Sequence, residues 1–485
     1  MATGTSKRPY DWTPDPHILL NVLVKSASDN IRSDFGTWPP NEKYFSHHPG
    51  YLSGTLPPDE PSEIGTTAKA LDALAAVCTF KSSGQTTAVS LTLTSDERAI
   101  IVIAQNEDID ERVIRFVTDL WTSLSKLSSL IAQYGHADSP GLEPAKRSSL
   151  DSQYRAVKAL VYRHGLCRVQ HAFFKRWCDF KAFIQDLEHT SGDRDLRSHL
   201  KLAYNIMSSI VNVLGSPISE STSDLTLLVE DMDKLQQKCL ELFKDEEKLN
   251  RWVNECQKPV GKVFPLSKYL KMCIEVQKDC SALIAFASTK RHHHILCKTM
   301  YVKAITSEKL DLAPFLDSVN LDKYADMAIE MAEKIMSPFL TRNWDDEKQR
   351  IKDYASVMRE SALLHPECAI LAYHDRTLLL QDGDEHGAES NAPPFIYIGT
   401  SKAPCYACCL LFRAYRKRQL GLPLLTQVSS MKVRTPWVMP LLSDEKIAAS
   451  AREALYMQFC IDYAKYLSNR ISTGRAEPIS RKTKI

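Results

Sequence analysis

Two hydrophobic periods alternate along this chain, and each change of period marks a change of structure. TTAKALDALAAVCTFK (66–81) carries Ala70, Leu74 and Val77 at i, i+4 and i+7, the spacing of one helical face. The period then falls to two. In TTAVSLTLT (86–94), Val89, Leu91 and Leu93 share one side of a strand, and SDER (95–98) makes a turn. AIIVIA (99–104), short, wholly apolar and β-branched, reads as the second and central strand of a hairpin. From about 108 to 345 helical spacing takes over. Val113, Phe116, Val117, Leu120, Trp121, Leu124, Leu127 and Ile131 form one apolar stripe, which HADSPGLEPAK (136–146) ends. Further helices are expected over 150–189, 195–214, 224–257, 266–287 and 320–337, with GSPISEST (215–222) as a linker. No repeat period is evident, which argues against a solenoid.

The C-terminal third mixes both periods. DDEKQRIKDYASVMRES (345–361) reads as a helix, and 340–364 offers no strand pair. HPECAILAYH (365–374) opens another helix, with Pro366 well placed in its first turn. QDGDEHGAESNAPP (381–394) is a polar loop and FIYIG (395–399) a buried strand. SKAPCYACCLLFRAYRKR (401–418) turns from loop into helix, LPLLTQV (422–428) suits a further strand, and 444–467 is a long helix with Ile447, Ala451, Leu455 and Phe459 on one face. Residues 1–64 read as an irregular arm and 471–485 as a basic, frayed tail.

Composition narrows the classes. At roughly 100–200 residues per domain, 485 residues make two to four units. A formal net charge of +2 excludes a polybasic nucleic-acid binder of the whole-molecule kind, so any such surface must be local. No apolar signal region opens the sequence and no run of 18 apolar residues occurs, so an intracellular place, cytoplasmic or nuclear, is expected. Thirteen cysteines, an odd number set mostly in apolar helical contexts such as Cys78, Cys167, Cys239 and Cys460, fit reduced thiols better than a disulfide framework.

Metal-ligand spacing occurs at one place. His365-Pro-Glu367 is followed by Pro404-Cys405-Tyr-Ala-Cys408. A catalytic zinc needs three protein ligands and one open position for water. His365 offers an imidazole, and Cys405 and Cys408, three apart at a helix start, offer thiolates to one point. Helix N-termini favour the negative charge this requires. Bound zinc lowers the pKa of its water toward about 7, giving a hydroxide nucleophile. Glu367, two residues beyond a ligand, is placed to take the water's proton and pass it on. Two blander readings stand beside this one: an ordinary helix start with buried cysteines, and a redox-active Cys405–Cys408 pair. Cys409 is expected to be buried and not a ligand, and Cys368 to pack beneath the site. His374 and His386 are expected to lie in core or solvent, since a fourth protein ligand would close the open position. The histidines of RHHH (291–294) face different ways on a helix and are expected at the surface, and His47 and His48 have no ligand set nearby.

The H-x-E…P-C-x-x-C order resembles the cytidine deaminase-like superfamily of zinc-dependent nucleic acid and nucleotide deaminases. HPECAILAYH, YIGTSKAPCYACCLLF and KVRTPW (432–437) look most like a fungal-type deaminase-like family within it. The resemblance implies an α/β fold, a three-layer α/β/α core with a mixed sheet of about five strands, here with a large all-helical insertion. It implies a Zn2+ cofactor and hydrolytic deamination of a cytosine or adenine base, in a nucleotide, nucleoside or single-stranded nucleic acid. The alternative is a non-catalytic interaction protein with a structural zinc centre and a helical binding surface. In the superfamily a helix and hairpin precede the H-x-E helix, and the unit at 66–104 is the candidate, although some 260 residues early. The chain then divides into an arm (1–64), a first part of the core (65–107), a helical insertion (108–345), a catalytic part (346–470) and a tail (471–485). An independent N-terminal domain is the other division. The resemblance makes Asn106, at the end of the second strand, a substrate-contact candidate beside its reading as a turn residue. Trp437 is a candidate for stacking on a base, beside a reading as core. Ser429, Ser430 and Met431 stand where family members often carry a histidine, which bears on substrate choice. Arg413, Arg416, Lys417 and Arg418, and the basic-aromatic stretch 154–181, suit single-stranded nucleic acid; the second better suits an amphipathic helix with a solvated basic face.

Overall fold

The structure, a computed structural model, describes residues 63–81, 84–94, 97–187, 193–215, 222–257, 264–307, 309–310, 362–379, 393–417, 424–427 and 437–457, with a few isolated positions between 326 and 352. Two compact units are distinguishable. One comprises His47–Thr306 and Ala388–Lys402; the other comprises Met1–Ser46, Ser307–Gly387 and Ala403–Ile485.

The first unit begins with helix α1 (Glu63–Val77) and the hairpin β1 (Thr87–Leu93) and β2 (Arg98–Gln105). The hairpin pairs antiparallel from Thr87 opposite Gln105 to Leu93 opposite Ala99. Its turn needs positive φ at Glu97, 62°, and Thr94 closes it by accepting the Arg98 N–H on its Oγ1 at 3.0 Å. Helices α2 (Glu111–Tyr134), α3 (Pro144–His164), α4 (Leu166–Phe174), α5 (Trp177–Leu187), α6 (Arg194–Gly215), α7 (Thr222–Leu242), α8 (Glu246–Gln257), α9 (Leu266–Cys273), α10 (Glu275–Ser288) and α11 (His293–Leu296) follow. All eight residues of the expected α2 stripe are buried. The helix expected over 150–189 breaks at Gly165 and again at Lys175, and that over 266–287 breaks at Ile274.

Two corrections concern strands. Residues 299–306 do not continue the helical pattern: β3 (Thr299–Thr306) runs parallel to β2, with Arg98 opposite Thr299 and Gln105 opposite Thr306. Just before His365 the described residues hold one short strand, β5 (Ala362–Leu363), which lies antiparallel to β4 (Lys309–Leu310) in the second unit. The run FIYIG forms a shorter strand than expected, β6 (Gly399–Thr400), antiparallel to β1 with Ala88 opposite Thr400. The mixed sheet therefore has four strands among the described residues, in the order β3-β2-β1-β6. Helix α1 lies so close to β6 that a Cβ on Gly399 would sit 2.2 Å from the Leu71 carbonyl carbon, which makes glycine obligatory there. Asp72 clamps the same strand, accepting the Thr400 N–H at 2.9 Å and the Tyr397 hydroxyl at 2.8 Å.

The second unit holds helices α12 (Pro366–Leu379) and α13 (Tyr406–Lys417), and residues 445–457 form a further helix capped by Asp444, which accepts the Lys446 N–H at 2.7 Å. The helices expected at 320–337 and 345–361, the arm, the tail and His386 lie outside the described residues or nearly so. The run 422–428 is described only over 424–427 and forms no named strand there. No described helix is long and apolar enough to cross a membrane.

Candidate metal centre

Two helix N-termini build the site. His365 stands just before α12, and its carbonyl accepts the N–H groups of Cys368 and Ala369 at 2.9 and 3.0 Å. Cys405 stands in the same relation to α13, accepting the Cys409 N–H at 3.1 Å. A residue at that position and one three further on lie on the same side of the first turn. The spacing thus brings Cys408 beside Cys405, with 3.4 Å between the sulfurs. His365 Nδ1 lies 3.1 Å from Cys408 Sγ and 3.5 Å from Cys405 Sγ. These three ligand atoms are the one group among the described residues suited to a metal ion. Tetrahedral zinc with Zn–S near 2.3 Å and Zn–N near 2.0 Å would hold such atoms about 3.5–3.8 Å apart. The donor set, one imidazole and two thiols closing a triangle of nearly that size, fits zinc.

Glu367 is buried, and its Oε1 lies 4.0 Å from His365 Nδ1, beside the ligand triangle and outside it. Burial pushes its carboxyl above the usual range, against the pull of His365. Burial also opposes ionisation of both ligand thiols. Hydrogen bonds with Cys408 and His365 nevertheless bring Cys405 well below the ordinary thiol range, while Cys408 is pushed up.

Trp437 is fully buried, and its indole Nε1–H donates to Cys408 Sγ at 3.3 Å. Cys368, at the third position of α12 and fully buried, lies with its Sγ 3.5 Å from the same sulfur. Cys409 is only half-buried, contrary to the expected full burial. His374 is a core histidine, its imidazole held down to about 4 by burial. Asp375, which nothing in the sequence singled out, links α12 to its surroundings: it accepts the Tyr415 hydroxyl from α13 at 2.8 Å and the Ser443 N–H at 2.6 Å.

Elsewhere, Asn106 directly follows β2. Its Oδ1 accepts the Thr86 N–H at 2.7 Å and its Nδ2 donates to the Gly84 carbonyl at 3.0 Å, so it ties down the start of β1. His292 is not at the surface as expected; it is buried, with Nε2 3.2 Å from Thr67 Oγ1. Cys167, expected in an apolar setting, is exposed. In the stretch 154–181, Phe173 and Phe180 are core residues, Lys158 pairs with Asp233, and Arg168 pairs with Asp279 and Glu275.

Searches of curated proteins and of solved structures gave no match. Residues 364–441 match a family model described as OTT_1508_deam:-like deaminase. The matched stretch contains His365, Glu367, Cys405, Cys408 and Trp437, so the part of the chain that carries the ligand triangle is similar to a deaminase domain.

Proposed function

We propose that this chain is a zinc-dependent hydrolytic deaminase, of the cytidine deaminase-like superfamily and its fungal-type branch, that acts on a cytosine or adenine base. The observation that carries the proposal is a buried carboxylate, Glu367, beside a His365–Cys405–Cys408 triangle that leaves it out. His365, Cys405 and Cys408 would hold the metal. Zinc, when bound, supplies a Lewis acid that acidifies a water molecule. Glu367 is placed to take one proton from the attacking water and deliver it to the ring nitrogen, and then to take the second from the newly formed hydroxyl and hand it to the exocyclic amine. A C–O bond forms at the ring carbon, the C–N bond breaks, and ammonia leaves.

The substrate is a nucleotide, a nucleoside or single-stranded nucleic acid. The division into a core split by helices, 65–107 and 346–470 around 108–345, is supported by the pairing of β1 with β6, a strand five residues ahead of Cys405. A fifth strand belongs to this reading. So does an intracellular place, for which the reduced thiols are the argument.

The test is metal analysis followed by a screen of bases, nucleosides and single-stranded DNA and RNA for ammonia release. One zinc per chain is expected, and Glu367→Ala should keep it while losing about 10²- to 10⁴-fold in rate. An active Glu367→Ala protein would refute the mechanism. Zinc-loaded wild type that releases no ammonia from any of these would favour a structural zinc centre in an interaction protein.

A further inference from the structure

The two cysteine ligands are not equivalent. Besides its fellow ligands and the Glu367 side chain, Cys408 Sγ faces the indole Nε1–H of Trp437 at 3.3 Å and the thiol of Cys368 at 3.5 Å. They arrive from different parts of the unit, one from the segment after α13 and one from the third position of α12. Both are fully buried, as is Cys408 itself. An indole N–H has one hydrogen-bonding capacity, donation, and it cannot accept. In a buried setting it takes a partner or loses the energy of one. Here its partner is a sulfur that must carry charge to bind a metal. Water does not reach this atom, so whatever stabilises the charge must come from the protein.

We propose that Trp437 is a positioning residue for the metal centre, acting through Cys408 and not on the substrate. It holds the Cys408 sulfur in the ligand triangle and draws electron density from it, with Cys368 as a weaker second donor. Partners of metal ligands orient them and tune the metal in this way. The buried, sulfur-directed placement of the indole is the reason to prefer this role over stacking on a base, which needs an exposed ring face.

This inference rests on the zinc reading, and the experiment separates the two. Wild-type chain is loaded with cobalt(II), and its thiolate-to-cobalt charge-transfer band is recorded; zinc affinity is measured by competition with a chelator. A wild type that takes up neither metal defeats the zinc reading. If wild type binds, Trp437→Phe should move the cobalt band to longer wavelength, because a sulfur without its donor gives up electrons more easily. The zinc dissociation constant should rise about 10- to 100-fold. An unmoved band with affinity within about twofold of wild type overturns the proposal while leaving the zinc reading intact. Where Trp437→Phe does not fold, wild-type chain grown on fluorotryptophan decides. A more acidic indole N–H strengthens the bond without altering the packing, so the band should move to shorter wavelength; a band that stays in place overturns the proposal.

Discussion

In the sheet, β1 and β2 are buried on both faces, by Val89, Leu91, Ile101 and Ile103 on one and by Ala88, Val102 and Ala104 on the other, whereas at the metal centre comparable burial is imposed on a carboxylate and three thiols. The first kind of burial stabilises by itself, since removing apolar surface from water is favourable without any partner. The second does not: buried polar groups destabilise unless they are hydrogen-bonded or bound. On the proposed zinc reading, the metal centre depends on an ion to offset its own burial, and the sheet does not. Metal binding and local folding should be coupled in one place and independent in the other.

The largest effect that could break this comparison is removal of zinc. After chelation, ammonia release should stop. In hydrogen exchange, the amides at the start of α12 and α13 should lose protection, while those of β1 and β2 keep theirs. Parallel loss of protection in the hairpin would mean that the sheet also leans on the metal, and the contrast would fall. Cys405→Ser should reproduce the chelated pattern without any chelator present.

A second test compares two strands of the same sheet. β2 and β3 pair along eight residues, yet β2 is buried from Ile101 to Gln105 and β3 is exposed or half-buried throughout. Ile101→Ala should destabilise the chain by about 2–5 kcal/mol, the range for emptying a sealed core position. Val302→Ala, opposite it in β3, should change stability by less than about 1 kcal/mol. Urea unfolding of both variants measures the difference. Equal losses would show that β3 is as much a core strand as β2.

That same contrast explains what could be read from the residues. The hairpin and the α2 stripe were legible because burial on a regular face forces a regular apolar period, and the buried positions fall on those residues. β3 was not legible. Tyr301, Val302 and Ile305 are good strand residues, but a strand at the edge of the sheet among the described residues is under no pressure to alternate cleanly, and the segment before it on the chain is helical. The helix breaks at Gly165 and Ile274 leave the apolar period intact, so they were hidden too. At the metal centre, His365, Glu367, Cys405 and Cys408 were legible because ligand chemistry demands residue types at short spacing. The contact of Trp437 and Cys368 with Cys408 was not, because it joins positions 29 and 40 residues apart and depends on how the chain folds back. His292 shows the same limit, since one of its buried contacts is with Thr67, 225 residues away.

Asn106 gives the smallest effect and decides between two roles. The resemblance makes it a candidate substrate contact, while its side-chain amide already bonds Thr86 and Gly84 on both ends. An amide that holds the start of β1 contributes to stability; an amide that holds a base contributes to KM. Since the site is only half-buried and each such hydrogen bond is worth about 1 kcal/mol net, Asn106→Ala should destabilise by about 1–2 kcal/mol. On the structural role, KM for the best substrate of the screen stays within about twofold of wild type, because a lost contact worth 1.4 kcal/mol would already raise it about tenfold. A tenfold rise in KM with unchanged stability would assign Asn106 to the substrate instead.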